Sequence, residues 1–340
     1  MLPRIFITRR LPEKPLEKLI TDPNFEVEIW PEKHPPPKEV ICEEARKSNA
    51  LVTLLSDPID EEVLSNLRGK LVAQYAVGID NIDLDFATEH GIKITNTPGV
   101  LTQSTADLTW ALLLAVARRI KEADEYVRTG LWNVAWGPKM LLGVELAGKV
   151  LGIIGLGRIG QAVAIRARGF GMQVLYTSPS SQPEFEAKFG ECIRRVPLET
   201  LLRMSDVVSI HTPLTVETQG MIRQQEFTLM KPSAILINTA RGAIVDEDAL
   251  CAALESDQIA GAGLDVFAKE PVDPQSPLLR LKNIVAVPHI GSATKETREK
   301  MVQIVVENIR AHFSGDTPPN LINKEIFGNW DSAGSTNKTA

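Results

Sequence analysis

The sequence predicts an α/β protein of two domains, at least one of them a doubly wound parallel sheet. Three observations carry this. The chain has 340 residues, room for two domains at about 150 residues each. Short β-rich apolar runs alternate with stretches of helical spacing, which implies parallel strands joined by crossover helices. One of those runs leads straight into a glycine-rich turn followed by a helix.

Taken in order, "IFIT" (5–8), "ALVTLLS" (50–56), "LVAQYAV" (71–77) and "KITNT" (93–97) read as strands, with "PLEKLI" and "EEVLSNLRG" helical between them. Residues 104–130 contain no proline or internal glycine before Gly130, and predict one long helix leading into the second domain. "LWNVAWGPKMLLGVEL" follows as an irregular segment with two tryptophans. It is either a loop packed on its own domain or an arm crossing a subunit interface, where Trp and Met are favoured. From Lys149, six apolar runs predict a second sheet: "KVLGIIG", "QVLYTS", "DVVSIHT", "AILINT", "GAGLDV" and "IVAVPH". A helix over about 295–313 returns to the first domain, which is therefore built from both ends of the chain. The boundaries expected are 1–100 with 291–330 for that domain and 101–290 for the other; 331–340, almost without apolar residues, is expected to be disordered.

Composition narrows the function. A net charge of −6 argues against nucleic-acid and membrane-surface partners. The three cysteines, Cys42, Cys192 and Cys251, form no CxxC or Cys/His cluster, so neither a disulfide framework nor a metal site is expected, and a reducing cytoplasm fits best. "ALLLAVA" at 111–117 is far too short for a membrane span.

The glycine-rich turn is G-x-G-x-x-G at Gly155, Gly157 and Gly160, between a strand and a helix. In that context it is a Rossmann-type dinucleotide loop: Gly155 for the turn, Gly157 for close approach of pyrophosphate, Gly160 for helix–strand packing. The helix N-terminus favours phosphate, and Arg158 adds a charge-assisted bond. The carboxylate that reads a ribose about 20 residues on is missing. The stretch there is "VLYTSPSS", in which Thr177, Ser178 and Ser180 can donate to a 2′-phosphate, and no Arg or Lys follows before Lys188. NADPH is therefore favoured over NADH, with dual use as the rival.

Three later stretches, "INTARGAIVDEDAL", "GAGLDVFAKEP" and "VPHIGSAT", together with "GLGRIG", "YAVGIDNID" and "TNTPGVLT", resemble the D-isomer-specific 2-hydroxyacid dehydrogenases, closest to the glyoxylate/hydroxypyruvate reductases. The resemblance covers about residues 3–327. It implies a Rossmann domain plus a flavodoxin-like α/β substrate domain, a homodimer, and NAD(P)H-dependent reduction of a small 2-keto acid. The residues suit that chemistry. Arg241 offers a planar fork for a carboxylate, His289 a proton near neutral pH, and Glu270 a partner that tunes the imidazole. The resemblance further implies cofactor contacts at Thr105, Ile159, Thr212, Pro213, Thr218, Thr239, Ala240, Asp265 and Gly291. It implies substrate contacts at Leu54, Val77, Gly78 and Ser292, and at Trp136 reaching a partner subunit, although Trp132 is a close rival. It leaves two alternatives: another member such as phosphoglycerate dehydrogenase, or a dinucleotide-sensing corepressor that binds without turning over.

Overall fold

The computed structural model describes residues 2–67 and 70–327; the expected tail at 331–340 lies outside them. The chain divides into two compact units, one made of residues up to Leu101 with those from Thr294 on, the other Thr102–Ala293.

The first unit holds a parallel sheet of five strands: β1 (Arg4–Ile7), β2 (Glu26–Ile29), β3 (Ala50–Thr53), β4 (Leu71–Gln74) and β5 (Lys93–Thr95), in the order β2-β1-β3-β4-β5. Every residue of β3 and β4 is buried, which is why both read as unbroken apolar runs. β2 is an edge strand, EVEI, whose glutamates are exposed. Its polar half hid it from the sequence reading, and such charges protect an open edge. The helices α1 (Glu13–Ile20), α2 (Lys38–Lys47), α3 (Glu61–Leu64) and α4 (Leu84–Glu89) cover the sheet together with the C-terminal helix Lys295–Phe313. Thr294 caps that last helix by accepting from the Thr297 amide at 3.2 Å.

The second unit begins with α5 (Thr102–Ala117) and α6 (Ile120–Arg128), and its strands alternate with further helices. In chain order these are β6 (Val150–Ile154), α7 (Arg158–Gly169), β7 (Gln173–Thr177), α8 (Pro183–Phe189), β8 (Ile193–Arg195), α9 (Leu198–Met204), β9 (Val207–Ile210), α10 (Gln224–Leu229), β10 (Ile235–Asn238), α11 (Glu247–Glu255), β11 (Gly261–Leu264) and β12 (Ile284–Ala286). All seven strands are parallel, in the order β12-β11-β10-β9-β6-β7-β8. The chain runs outward from β6 to β8 and then returns to β9, so the order reverses between β6 and β9. Ligands bind at such a switch point, beyond the carboxyl ends of the strands. Separate apolar cores fill the two faces, one around Leu236, Phe227 and Leu250, the other around Tyr176, Trp110 and Ile153.

Two expectations need correction. The single helix over 104–130 is two helices, broken at Arg118 and Arg119. Arg119 takes φ +54, a left-handed conformation that ends α5. The break is stabilised from elsewhere in the chain: the Val144 amide donates to the Ala117 carbonyl at 2.7 Å, and Gly143 packs so closely that a Cβ there would lie 2.4 Å from that oxygen. The second sheet also has seven strands rather than six; the extra one, β8, is a three-residue edge strand. In the segment after α6, Trp132 is 53% and Trp136 76% exposed.

Candidate active site

The glycine loop joins β6 to α7 at the switch point. Gly155 has φ +94, and a Cβ there would come within 2.7 Å of the His211 carbonyl just after β9. Gly160 has the same constraint against the Gly155 carbonyl, at 2.2 Å. Gly157 differs: a Cβ there would meet nothing within 4 Å. It caps α7 with extended backbone and stands exposed beside Arg158, which makes no hydrogen bond or ion pair among the described residues. Tight packing behind, open space in front and a helix N-terminus beneath fit a pyrophosphate. Ile159 is half-buried in the first turn of α7.

His211 closes the back of this loop. Its Nε2 lies 2.7 Å from Ser209 Oγ, its Nδ1 is buried without a partner, and burial pulls the imidazole down to about 3. Thr212 is half-buried and Pro213 exposed beyond it. The Thr218 hydroxyl is occupied in closing this turn, donating to the Pro213 carbonyl at 2.7 Å and accepting from the Thr215 amide at 2.8 Å.

The acid–base corner forms where β10, β11 and β12 end. His289 Nδ1 lies 2.7 Å from Glu270 Oε2, and Glu270 Oε1 accepts from the Phe267 amide at 3.0 Å. Burial pushes the Glu270 carboxyl up, but the bond to His289, its charge, the Phe267 amide and the Arg241 charge outweigh that and hold it below its usual value. His289 has φ +51, a conformation costly for a non-glycine residue and sustained by its surroundings. Asp265 provides them. Its carbonyl accepts from the His289 amide at 2.8 Å, and its carboxylate accepts from Ile290 at 2.6 Å and Gly291 at 2.8 Å. Burial lifts the Asp265 carboxyl to about 6, against the pull of the Ile290 amide, the His289 charge and the Gly291 amide. Thr105 donates to the Gly291 carbonyl at 3.2 Å, and Thr109 pairs with Thr239 at 3.0 Å, fastening α5 to the same strand ends. Ser292 is half-buried immediately after Gly291.

Arg241 follows β10. Its Nη1 donates to the Ala240 carbonyl at 2.8 Å, and Asn238 holds the turn by donating to the Arg241 carbonyl at 2.9 Å. Sequence reasoning passed over the next residue. A Cβ at Gly242 would lie 1.8 Å from the Phe267 carbonyl carbon, so only glycine lets the Arg241 turn pack against the loop that carries Glu270. The glycine in "ARGAIV" was the visible signal.

In the first unit, Leu54, Val77 and Gly78 are half-buried beyond the carboxyl ends of β3 and β4. A polar network the sequence did not disclose holds them. Buried Asp57 accepts from the Leu54 amide at 2.8 Å and from Thr8 at 2.5 Å, and pairs with Arg9 at 3.0 Å. Asn81 donates to the Leu54 carbonyl at 3.1 Å, Gln74 to Gly78 at 3.4 Å and Asn96 to Val77 at 2.8 Å. Trp136 has no hydrogen bond or ring contact to the Arg241, Glu270 and His289 group among the described residues.

At the end of β7, Thr177 and Ser178 are half-buried and Ser180 is exposed. Their loop is held by Arg195 of β8, which sequence reasoning missed. Among the described residues, no helix is long and apolar enough to cross a membrane and no group of three His, Cys, Asp or Glu is set to hold a metal ion.

A dinucleotide cradle at the switch point, with a histidine–carboxylate pair and an arginine at neighbouring strand ends of the same sheet, defines a class: oxidoreductases that use a nicotinamide dinucleotide. Comparison with known proteins narrows the class. Residues 110–291 match the family model "D-isomer specific 2-hydroxyacid dehydrogenase, NAD binding domain". The chain is 52% identical over 327 residues to a glyoxylate reductase of Korarchaeum cryptofilum, covering 96% of this chain and 97% of that protein. It is 53% identical over 331 residues to one of Thermococcus litoralis, covering 96% and 98%. Among solved structures it resembles the NADPH-dependent glyoxylate/hydroxypyruvate reductase of Sinorhizobium meliloti in complex with NADP and malonate, with a TM-score of 0.83, 31% identity, and 95% and 97% coverage. The chain belongs to the D-isomer specific 2-hydroxyacid dehydrogenases.

Proposed function

We propose that this enzyme reduces glyoxylate and hydroxypyruvate to their 2-hydroxy acids, with the D configuration where the product is chiral, and that it prefers NADPH to NADH. The observation that carries the reading is the His289–Glu270 pair at 2.7 Å, at strand ends of the sheet that also bears the glycine cradle. When bound, the cofactor supplies a hydride to the keto carbon. Arg241 binds the substrate carboxylate through its fork. Glu270 holds the Nδ1 side of the imidazole, so Nε2 faces the carbonyl oxygen and gives up its proton as charge develops there. The carboxylate of Glu270 stabilises the imidazolium before that transfer. Asp265 and Gly291 fix the peptide that aims His289.

Thr105, Gly155, Gly157, Arg158, Ile159, Gly160, Thr177, Ser178, Ser180, Thr212, Pro213, Thr218, Thr239, Ala240, Asp265 and Gly291 are assigned to the cofactor. Leu54, Val77, Gly78 and Ser292 are assigned to the substrate. The lack of a carboxylate from Thr177 to Ser181 supports the NADPH preference. We assign the exposed surface of Ile120, Val127, Leu131, Trp132, Trp136 and Leu142 to a homodimer contact, with Trp136 reaching the partner's substrate. Free thiols at Cys42, Cys192 and Cys251 support a reducing cytoplasm as its compartment.

The experiment is initial-rate kinetics with a panel of keto acids, each run with NADH and NADPH. Glyoxylate and hydroxypyruvate are expected to give the highest kcat/KM. A higher value for pyruvate or for a phosphorylated keto acid would overturn the substrate assignment, and a tenfold preference for NADH would overturn the cofactor assignment.

A further inference from the structure

We propose that Arg195 is the cation that recognises the cofactor's 2′-phosphate. This rests on the reading of the glycine loop and the end of β7 as a nicotinamide dinucleotide site. Within the chain, the serine-rich stretch after β7 carries no positive charge before Lys188. The sheet supplies one from another strand. β8 pairs with β7 in parallel, with Arg195 opposite Tyr176, so Arg195 reaches the carboxyl edge just where β7 ends at Thr177 and Ser178 follows. Its Nε and Nη2 donate to the Ser178 carbonyl at 3.1 and 2.7 Å, and Nη2 also donates to the Pro179 carbonyl at 2.8 Å. The guanidinium therefore lies along the backbone of the loop that reads the ribose.

Three features suit it to a phosphate. The Nη1 group makes no hydrogen bond among the described residues, leaving part of the fork to donate outward. No carboxylate forms an ion pair with Arg195 among those residues, and the side chain is exposed, so its charge is available to a ligand. The acid that shares this corner, Glu186 of α8, is committed to the hydroxyl of buried Tyr176, which the Gln182 amide also holds at 3.2 Å. The guanidinium also covers two carbonyl oxygens that would otherwise repel an anion. Ser178 and Ser180 on the same loop add neutral hydroxyl donors beside that charge.

The test is calorimetric titration of the protein with 2′,5′-ADP and with 5′-AMP, fragments that differ in the 2′-phosphate and need no turnover. Wild type is expected to bind 2′,5′-ADP more tightly. Arg195→Met should weaken 2′,5′-ADP at least tenfold, about 1.4 kcal/mol, and change 5′-AMP less than twofold. Arg195→Gln keeps an amide donor for the Ser178 carbonyl without the charge, and should show the same loss. In kinetics the ratio of kcat/KM for NADPH over NADH should fall by the same factor. Equal weakening of both fragments would show that Arg195 merely holds the loop, and unchanged binding of both would also overturn the proposal, as would a wild type blind to the 2′-phosphate. If the fragments behave as expected but no keto acid is reduced, the proposed activity fails while the arginine assignment stands.

Discussion

Two corners of the seven-stranded sheet are built on opposite plans. Where β11 and β12 end, His289 is fixed from several sides: Glu270 on its ring, and Asp265 on its own amide and the two that follow. Asp265 is 1% exposed. Where β7 and β8 end, a more exposed loop is tied to the sheet by two side chains, Arg195 at Ser178 and Pro179 and Tyr176 at the Gln182 amide. Chemistry needs a group held to a fraction of an ångström, and burial with redundant hydrogen bonds provides that. Choice between two cofactors needs only a difference of a few kcal/mol, which one accessible charge supplies. The first corner should therefore be intolerant of change, and the second tunable without loss of the fold.

The largest effect should come from the rigid corner. His289→Ala is expected to lower kcat by a thousandfold or more, the scale of a lost general acid, while cofactor binding followed by fluorescence titration stays within twofold. Turnover near wild type would remove the proton-donor role. Arg241→Ala should instead raise KM for the keto acid, and an unchanged KM would refute its carboxylate role.

Next are two glycines that contrast packing with open space. Gly242→Ala places a methyl into the Phe267 backbone and should cost about 3 kcal/mol of stability, read as a fall in the denaturant midpoint. Gly157→Ala meets nothing and should leave that midpoint unchanged, yet weaken both cofactors because the methyl takes the space meant for pyrophosphate. Equal destabilisation by both would contradict the packing described.

Arg158→Ala sharpens the comparison between the two arginines proposed for the cofactor's phosphates. It should weaken NADH and NADPH alike, by about tenfold, leaving their ratio intact, whereas Arg195 acts on the ratio. A changed ratio in Arg158→Ala would blur the division of labour.

The smallest effect is on pH dependence. His211, pulled down to about 3 by burial, stays neutral in the folded chain while the unfolded chain takes up a proton near 6.5. The unfolded state then binds more protons, so stability falls as pH drops from about 6.5 toward 3. His312, half-buried and lowered to about 4 by the burial of its ring, acts in the same sense. Asp265 acts oppositely: raised from 3.8 to about 6, it makes the folded state the better proton binder in that window, so its contribution declines as pH rises through it. His211→Gln should flatten the fall of Tm between neutral pH and pH about 4. An unaltered slope would remove His211 from the acid response.

Much of this was legible because it is local in the chain. An apolar run such as "AILIN" is buried on both faces wherever it sits in a parallel sheet, and β10 formed there. The glycine spacing from Gly155 to Gly160 encodes its own turn, and the strand-end positions of Arg241, Glu270 and His289 follow from the runs that precede them. The missed elements lack such a signal. β2 and β8 are short edge strands with charged residues, and an edge strand is decided by the neighbour it pairs with. The break at Arg119 has no glycine or proline to announce it, because Gly143 and Val144 make it from outside the helix.

The sequence by itself therefore determined the class of fold and the glycine-rich cradle, and it singled out His289, Glu270 and Arg241 for the roles proposed for them, since each stands in a short stretch with a fixed chemistry. Only the tertiary structure decided how the serine-rich loop acquires a charge. The register of β8 on β7 sets Arg195 against residues 16 and 17 positions earlier in the chain, and pairing register is a property of the assembled sheet.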